Sequence, residues 1–236
     1  MILSGKCVSI KVPSIEYVGG TTYGGIGSTS NAIVSLTSLT GGIASSPQSG
    51  DICIVINGCE SYQDTSYANP VVGFTTLSGE DISGDSHPAH SRISYKILNG
   101  TETSISVGGT MNTTRGLCVA VMVFRNVNQT TPFSTAIQFA TGINSRFANP
   151  PASTSTGANQ VVVFAGLAGT AGSNTFTYSG DCDAFITAVG TDTANASCGL
   201  GFKTLASAGT FDAVAFSTVD STTTGWNAYS IVLNTA

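Results

Sequence analysis

Charge is what this chain has least of. Charged residues make up 9% of the 236, eight of them Lys or Arg and thirteen Asp or Glu, against an ordinary share of roughly a quarter. No run of basic residues occurs, the net charge is −5 and the pI is about 4.7. Binding to a phosphate backbone needs clustered cations, so nucleic acid is not an expected partner. Disorder is also excluded, because it combines low hydrophobicity with high net charge, whereas mean hydropathy here is +0.24. No apolar run reaches the roughly 18 residues of a membrane span, so no membrane partner is expected. Histidine is nearly missing, with two residues, and tryptophan occurs once. No C-x-x-C spacing is present among the six cysteines, which removes zinc-ribbon and thioredoxin-type sites.

Ser and Thr fill the space left by charge, at roughly a quarter of the chain, and 28 glycines supply turn positions. A Thr-, Val- and Gly-rich chain fits many short strands joined by turns. Met1 to Cys7 has neither the basic nor the apolar segment of an export signal and reads as a cytoplasmic start. Reduced thiols are then the default, with a bridge between Cys182 and Cys198 left open. Cys53 and Cys118 lie inside apolar runs and read as small core residues.

Strand signals recur in a fixed order. Ile52–Ile56, Ile93–Leu98, Thr101–Val107 and Leu117–Phe124 come first, with Asn99-Gly100 as a hairpin turn between the second and third. In the third, Thr103, Ile105 and Val107 share one face, the pattern of a half-buried strand. Leu117–Phe124 is apolar on both faces and so belongs at a sheet centre or under a further layer. The same blocks then return: Ile52 corresponds to Val161, Tyr95 to Phe202, Thr101 to Thr210 and Gly116 to Gly225. The offsets are 109, 107, 109 and 109 residues, and the slip of two falls at a turn, where loop length is free to vary.

One four-stranded unit has an apolar face with nothing to cover it, so two units should stack on a shared core. The expected fold is therefore all-β, an antiparallel jelly-roll-like β-sandwich of two pseudo-symmetric four-strand repeats. Repeat 1 covers about residues 46–127 and repeat 2 about 158–236, within a sandwich of 46–236. Residues 128–157 form a linker in which Pro150-Pro151 excludes helix. Residues 1–45 form an N-terminal arm, with edge strands at Ser9–Val12 and Ile33–Leu36 and a flexible Gly-rich loop from Gly19 to Gly27.

Candidates for chemistry are few. His87, His90 and Asp85 fall within Glu80 to His90, a stretch with enough ligand types for a metal. Pro88 breaks the helix that would gather them, and a solvated crossing loop is the plainer reading. Asp181 and Asp183 read as a polar turn before a Ca²⁺ site. No G-x-S-x-G elbow and no phosphate-binding glycine loop occurs. The four N-x-S/T sequons are the number chance gives in a chain this rich in Ser and Thr. Trp226 reads as a core residue because its repeat counterpart is Leu117. No catalytic residue and no cofactor is expected, and the chain reads as no enzyme.

Several pieces resemble a family of virion-associated β-sandwich proteins of tailed bacteriophages. They are Gly50-Asp51 before an apolar strand, Tyr95-Lys96-x-x-x-Gly100-Thr101-Glu102, the strand end Val123-Phe124-Arg125-Asn126-Val127 with Pro132-Phe133, and Trp226-x-x-Tyr229-Ser-x-Val232-Leu233. The likeness covers about residues 46–236 and departs at Asn126, where glycine is the family form. It implies a capsid decoration (cement) protein that binds the major capsid protein or other virion proteins. A homo-oligomer is implied, trimeric by analogy, made in the host cytoplasm and located on the virion. The alternative it implies is a tail- or head-fibre-associated adhesin module recognising a host surface glycan or protein. It carries no catalytic residue.

Overall fold

The computed structural model describes residues 13–27, 31–60, 71–82, 87–108, 115–172, 174–191, 194–218 and 224–236. The expected edge strand at Ser9–Val12, together with Cys7 and Asp85, lies outside these residues. Every regular element among the described residues is a strand. In the first half these are β1 (Glu16–Gly27), β2 (Ala32–Ser35), β3 (Ile52–Glu60), β4 (Thr75–Ile82), β5 (Ala89–Ile97), β6 (Ser104–Val107) and β7 (Arg115–Arg125). The second half holds β8 (Gln138–Ser145), β9 (Phe147–Ala148), β10 (Ser153–Ser155), β11 (Gln160–Ala171), β12 (Phe176–Thr177), β13 (Ala184–Val189), β14 (Ala194–Leu205), β15 (Gly209–Phe211), β16 (Phe216–Thr218) and β17 (Thr224–Leu233).

Two five-stranded antiparallel sheets form the body. The first has the order β1-β7-β3-β5-β4 and the second β13-β14-β11-β17-β8. Alternation along each strand decides which layer a side chain joins. On β7, Cys118, Ala120, Met122 and Phe124 enter a core shared with Val163, Leu167, Leu200, Tyr229 and Ile231 of the second sheet. The intervening Leu117, Val119, Val121 and Val123 point the other way, into a second cluster with Val34, Leu36, Ile105 and Val107. That cluster is covered by the β2-β6 pair. A third cluster lies outside the second sheet, where Phe164, Ala168 and Ala228 meet Ala148, Phe176 and Phe216. There the cover is the small β12-β16-β9 sheet, which carries three of those residues. The result is a β-sandwich whose outer faces are themselves roofed, and the two-faced apolar reading of Leu117–Phe124 has its cause in the β2-β6 roof.

Three differences from the expected elements have local reasons. Gly19 to Gly27 is strand β1, paired with β7, not a flexible loop. Its glycines permit close approach: a side chain at Gly24 would strike the Val189 carbonyl on β13, and one at Gly20 the Tyr17 hydroxyl. Asn99-Gly100 does not close a hairpin, because β6 pairs with β2 and leaves the sheet of β5. The Glu102 carboxylate holds this exit by accepting the Asn99 and Gly100 N–H groups at 3.0 and 3.1 Å and pairing with Lys96 Nζ at 3.0 Å. Thr210–Phe216 is two short strands, β15 and β16, separated by Asp212–Ala215. Each large sheet keeps three of the expected strands and gains two: β4 and, from the expected arm, β1 in the first; β13 and, from the expected linker, β8 in the second.

One polar contact ties the opening of β3 to the end of β7. Asp51 is 1% exposed and accepts both Arg125 Nε and Nη2 at 2.9 Å, while its Oδ2 also receives the Gln48 N–H at 2.8 Å. Asn126 follows with φ of 62°, in the left-handed region that glycine and asparagine tolerate best. Arg125→Met would leave the Asp51 carboxylate buried without its cation. It should lower unfolding free energy by about 3–5 kcal/mol, measured by urea titration, whereas Ile33→Ser on an exposed position of β2 should stay within about 0.5 kcal/mol.

Candidate functional site

Both histidines sit at one end of the first sheet, and the strands send them in different directions. His90 is on β5 opposite Asp81 of β4, and Arg92 lies two residues on, opposite Gly79. Period-two alternation places His90 and Arg92 on one face. Asp81 serves both. Its Oδ1 is 3.1 Å from His90 Nδ1, and its two oxygens accept Arg92 Nη1 and Nη2 at 2.9 and 3.1 Å. Gly79 makes room for this fork, since a side chain there would collide with the Arg92 stem. His90 is buried, which replaces the expected solvated loop with a strand position.

His87 belongs to another neighbourhood. Its Nδ1 is 3.3 Å from Oε1 of Glu60, a carboxylate at the end of β3 that is almost wholly buried. The His87 carbonyl accepts the Gly225 N–H at 3.1 Å, so this segment is pinned to the start of β17 in the second sheet. Of the three metal candidates, His87 and His90 therefore take different carboxylates, and Asp85 is outside the described residues. Among the described residues no group of three His, Cys, Asp or Glu is arranged to hold a metal ion. Of the partners that define this corner, Asp81 lies in the Glu80 to His90 stretch picked out by sequence, whereas Glu60 and Arg92 were not singled out. The available signal was the alternation of His90 with Arg92 along one strand.

A His–Asp pair is half of a nucleophilic constellation, so the position of nearby hydroxyls matters. Ser91 is next in sequence but lies on the opposite face of β5. Its Oγ is 2.6 Å from the Tyr229 hydroxyl and accepts Asn227 Nδ2 at 2.8 Å, deep between the sheets. The corner thus contains two separate polar systems: one at the surface held by Asp81, and one internal around Ser91. Asn227 Nδ2 also reaches the carbonyls of Glu80 and Ala89, at 3.2 and 3.3 Å, which joins β17 to both β4 and β5. These contacts bind sheet to sheet; they present no hydroxyl to His90.

Two further surfaces among the described residues bear on function. A groove of about 300 Å³ runs between the β1 and β13 edges, lined by Thr21, Ser38, Thr40, Ile186 and Thr187. Its polar lining is hydroxyl, without a charged side chain. The second surface is the outer edge of the second sheet, where β8 pairs with β17 on one side. The strand Gln138–Ser145 carries no charge and exposes Phe139 by 54% and Ile143 by 48%. Phe147 follows at 44%, with Arg146 over its ring at 4.9 Å.

Burial alone would raise the Asp81 carboxyl, but the hydrogen bonds from His90 and Arg92 outweigh it and bring its pKa down to about 2. A carboxylate depressed on folding adds stability above its unfolded pKa near 3.8, and that contribution disappears as pH falls towards about 2. Asp81→Asn should therefore be less stable than the parent above about pH 4, by about 1 kcal/mol or less given solvent screening at this exposed carboxylate. The difference should close as pH drops to about 2, read from urea unfolding at a series of pH values. No family model, no curated protein and no solved structure matches this chain.

Proposed function

We propose that this chain is a non-enzymatic structural protein of tailed-bacteriophage virions, most specifically a capsid decoration protein that binds the major capsid protein. The observation that carries the reading is the β8 edge. It is an uncharged edge strand with Phe139 and Ile143 exposed, and soluble proteins usually blunt such edges with Lys, Pro or inward charges. An unblunted apolar edge suits a protein that works by burying surface against a neighbour. The residues behind the family likeness support a structural role as well. Asp51 and Arg125 join two of its pieces by ion pair, Lys96 and Glu102 stabilise a third, and Tyr229 of the fourth anchors Ser91. Asn126 takes the family's glycine position with a backbone that suits either residue.

Within this reading the sandwich is two copies of one unit. Written from β8, the second sheet has the order β8-β17-β11-β14-β13, which follows β1-β7-β3-β5-β4 strand for strand. Register supports it: Cys53 pairs with Lys96 and Val123, and Val162 with Lys203 and Val232. These partners stand at the same 109- and 107-residue offsets found in the sequence. Contacts across the core repeat too, with Tyr17 on Phe202 at 5.0 Å and Tyr95 on Phe133 at 4.7 Å. The chain finishes one large sheet before starting the other, so we describe the sandwich as stacked like units; a jelly roll would pass between its sheets repeatedly.

A decoration protein should be present on the order of hundreds of copies per particle, held through repeated interfaces, as counted by quantitative mass spectrometry of purified virions; a handful of copies would overturn the assignment. Phe139→Asp with Ile143→Asp should weaken capsid binding by roughly tenfold or more, about 1.4 kcal/mol, with the urea midpoint of the free protein unchanged.

The alternative, a fibre-associated adhesin module, draws its support from the hydroxyl-lined groove between β1 and β13. Its size and neutral lining suit an uncharged sugar. A host glycan should then shift the NMR signals of Thr21, Thr40 and Thr187, and Thr40→Val should abolish that binding.

A further inference from the structure

The core shared by the two sheets contains two thiols from opposite layers. Cys118 is on β7 and Cys198 on β14, both without exposed surface and both members of the same cluster. The two strands lie face to face along their length. At one end a side chain added to Gly116 would meet the Asn195 side-chain oxygen and Cα, and at the other the Phe124 and Phe202 rings meet edge-on at 5.2 Å. Cys118 and Cys198 fall between these points, in one packed cluster, with the Cys118 Sγ–H donating to the Gly58 carbonyl at 3.5 Å. At the Gly116 end the two strands come close, since a Cβ there would lie 3.1 Å from the Asn195 Cα. In the like-unit correspondence, Cys118 matches Asn227 and Cys198 matches Ser91, and that second pair is in direct contact at 2.8 Å.

We infer that Cys118 and Cys198 are a site for an inter-sheet disulfide, formed by exchange with a small-molecule disulfide while the chain folds. The other cysteines are poorly placed to compete. Cys59 alternates with Gly58 on β3 and so shares the face of Cys53 and Val55, away from the shared core. Cys182 packs against the cluster outside the second sheet, with the whole sheet between it and Cys198. This differs from the Cys182–Cys198 bridge left open by sequence, and its cause is the alternation of faces along β14.

The chemistry balances as ordinary thiol–disulfide exchange. One cysteine loses its proton to solvent, and its thiolate attacks a sulfur of R–S–S–R. A mixed protein–S–S–R disulfide forms, and R–S⁻ leaves and takes up a proton. The second cysteine thiolate then attacks the protein sulfur of the mixed disulfide, closing the Cys118–Cys198 bond and releasing a second R–SH. Two protein thiols are oxidised and one small disulfide is reduced to two thiols. Burial keeps the Cys118 thiol protonated in the folded state, and the thiolate is the attacking form. Reaction therefore belongs to the chain before the sheets close.

The test uses the full chain, unfolded in urea with reductant, freed of reductant and refolded with oxidised glutathione. Proteolysis without reductant should release a peptide pair joined through Cys118 and Cys198. The linked protein should unfold at a urea midpoint higher by roughly 1 M or more, as expected for closing a long loop, and dithiothreitol should remove the gain. Cys182→Ser, a change at a half-buried position, should leave the same link in place. Full alkylation of Cys118 and Cys198 after refolding and denaturation would overturn the inference, as would a peptide pair joining Cys198 to Cys182.

Discussion

The structure depends on burying both faces of its central strands. In β3, Ile52, Ile54 and Ile56 face the shared core while Cys53 and Val55 face the cover of the first sheet. In β11, Val161, Val163 and Leu167 face inward while Phe164 and Ala168 face the second cover. A single apolar face would have been satisfied by two sheets. Two apolar faces demand additional layers, and β2-β6 on one side and β12-β16-β9 on the other supply them. The short strands that look incidental in the element order are required because an exposed outer row of Val and Phe would cost roughly 25 cal/mol for each Å² left in water.

A charge-poor chain can afford this layering because it has few groups to keep wet. Two buried polar groups are held by several partners each. Asp51 receives a bidentate guanidinium and a backbone N–H, and the Ser91 hydroxyl meets both the Tyr229 hydroxyl and Asn227 Nδ2 between the sheets. The residues 109 positions on from the Asp51–Arg125 pair make a neutral contact: Gln160 Nε2 donates to Asn234 Oδ1 at 2.6 Å, while Gln160 Oε1 accepts the Thr156 and Gly157 N–H groups. Both arrangements fix the loop entering the central strand of their sheet, β3 or β11, one with charge and one without.

Much of the layering was legible in the sequence because it is written in alternation. Leu117–Phe124 announces two buried faces, and Thr103, Ile105 and Val107 announce one; Ile105 and Val107 are buried as that pattern requires. What alternation cannot specify is the partner strand. Asn99-Gly100 has the chemistry of a hairpin turn, yet Glu102 captures its N–H groups and the chain leaves for another layer. Glycine misled in a related way. In Gly19 to Gly27 it marks near contact between backbones, and sequence alone reads it as flexibility. The histidine corner was half legible: its residues are near in sequence, but strand pairing separates Glu60–His87 from Asp81–His90–Arg92.

The roofed faces have a consequence for water and time. Amide protons in β3 and β11 lie in mid-sheet, with a packed layer above and below each strand. They can trade with solvent deuterium only through openings that disturb several layers together, which are the rarest openings a fold makes. The β2-β6 pair has one buried face and solvent on the other, with Ile33 exposed. Its protons are reached by lifting a single flap. The molecule is therefore a slow interior beneath a quicker β2-β6 cover.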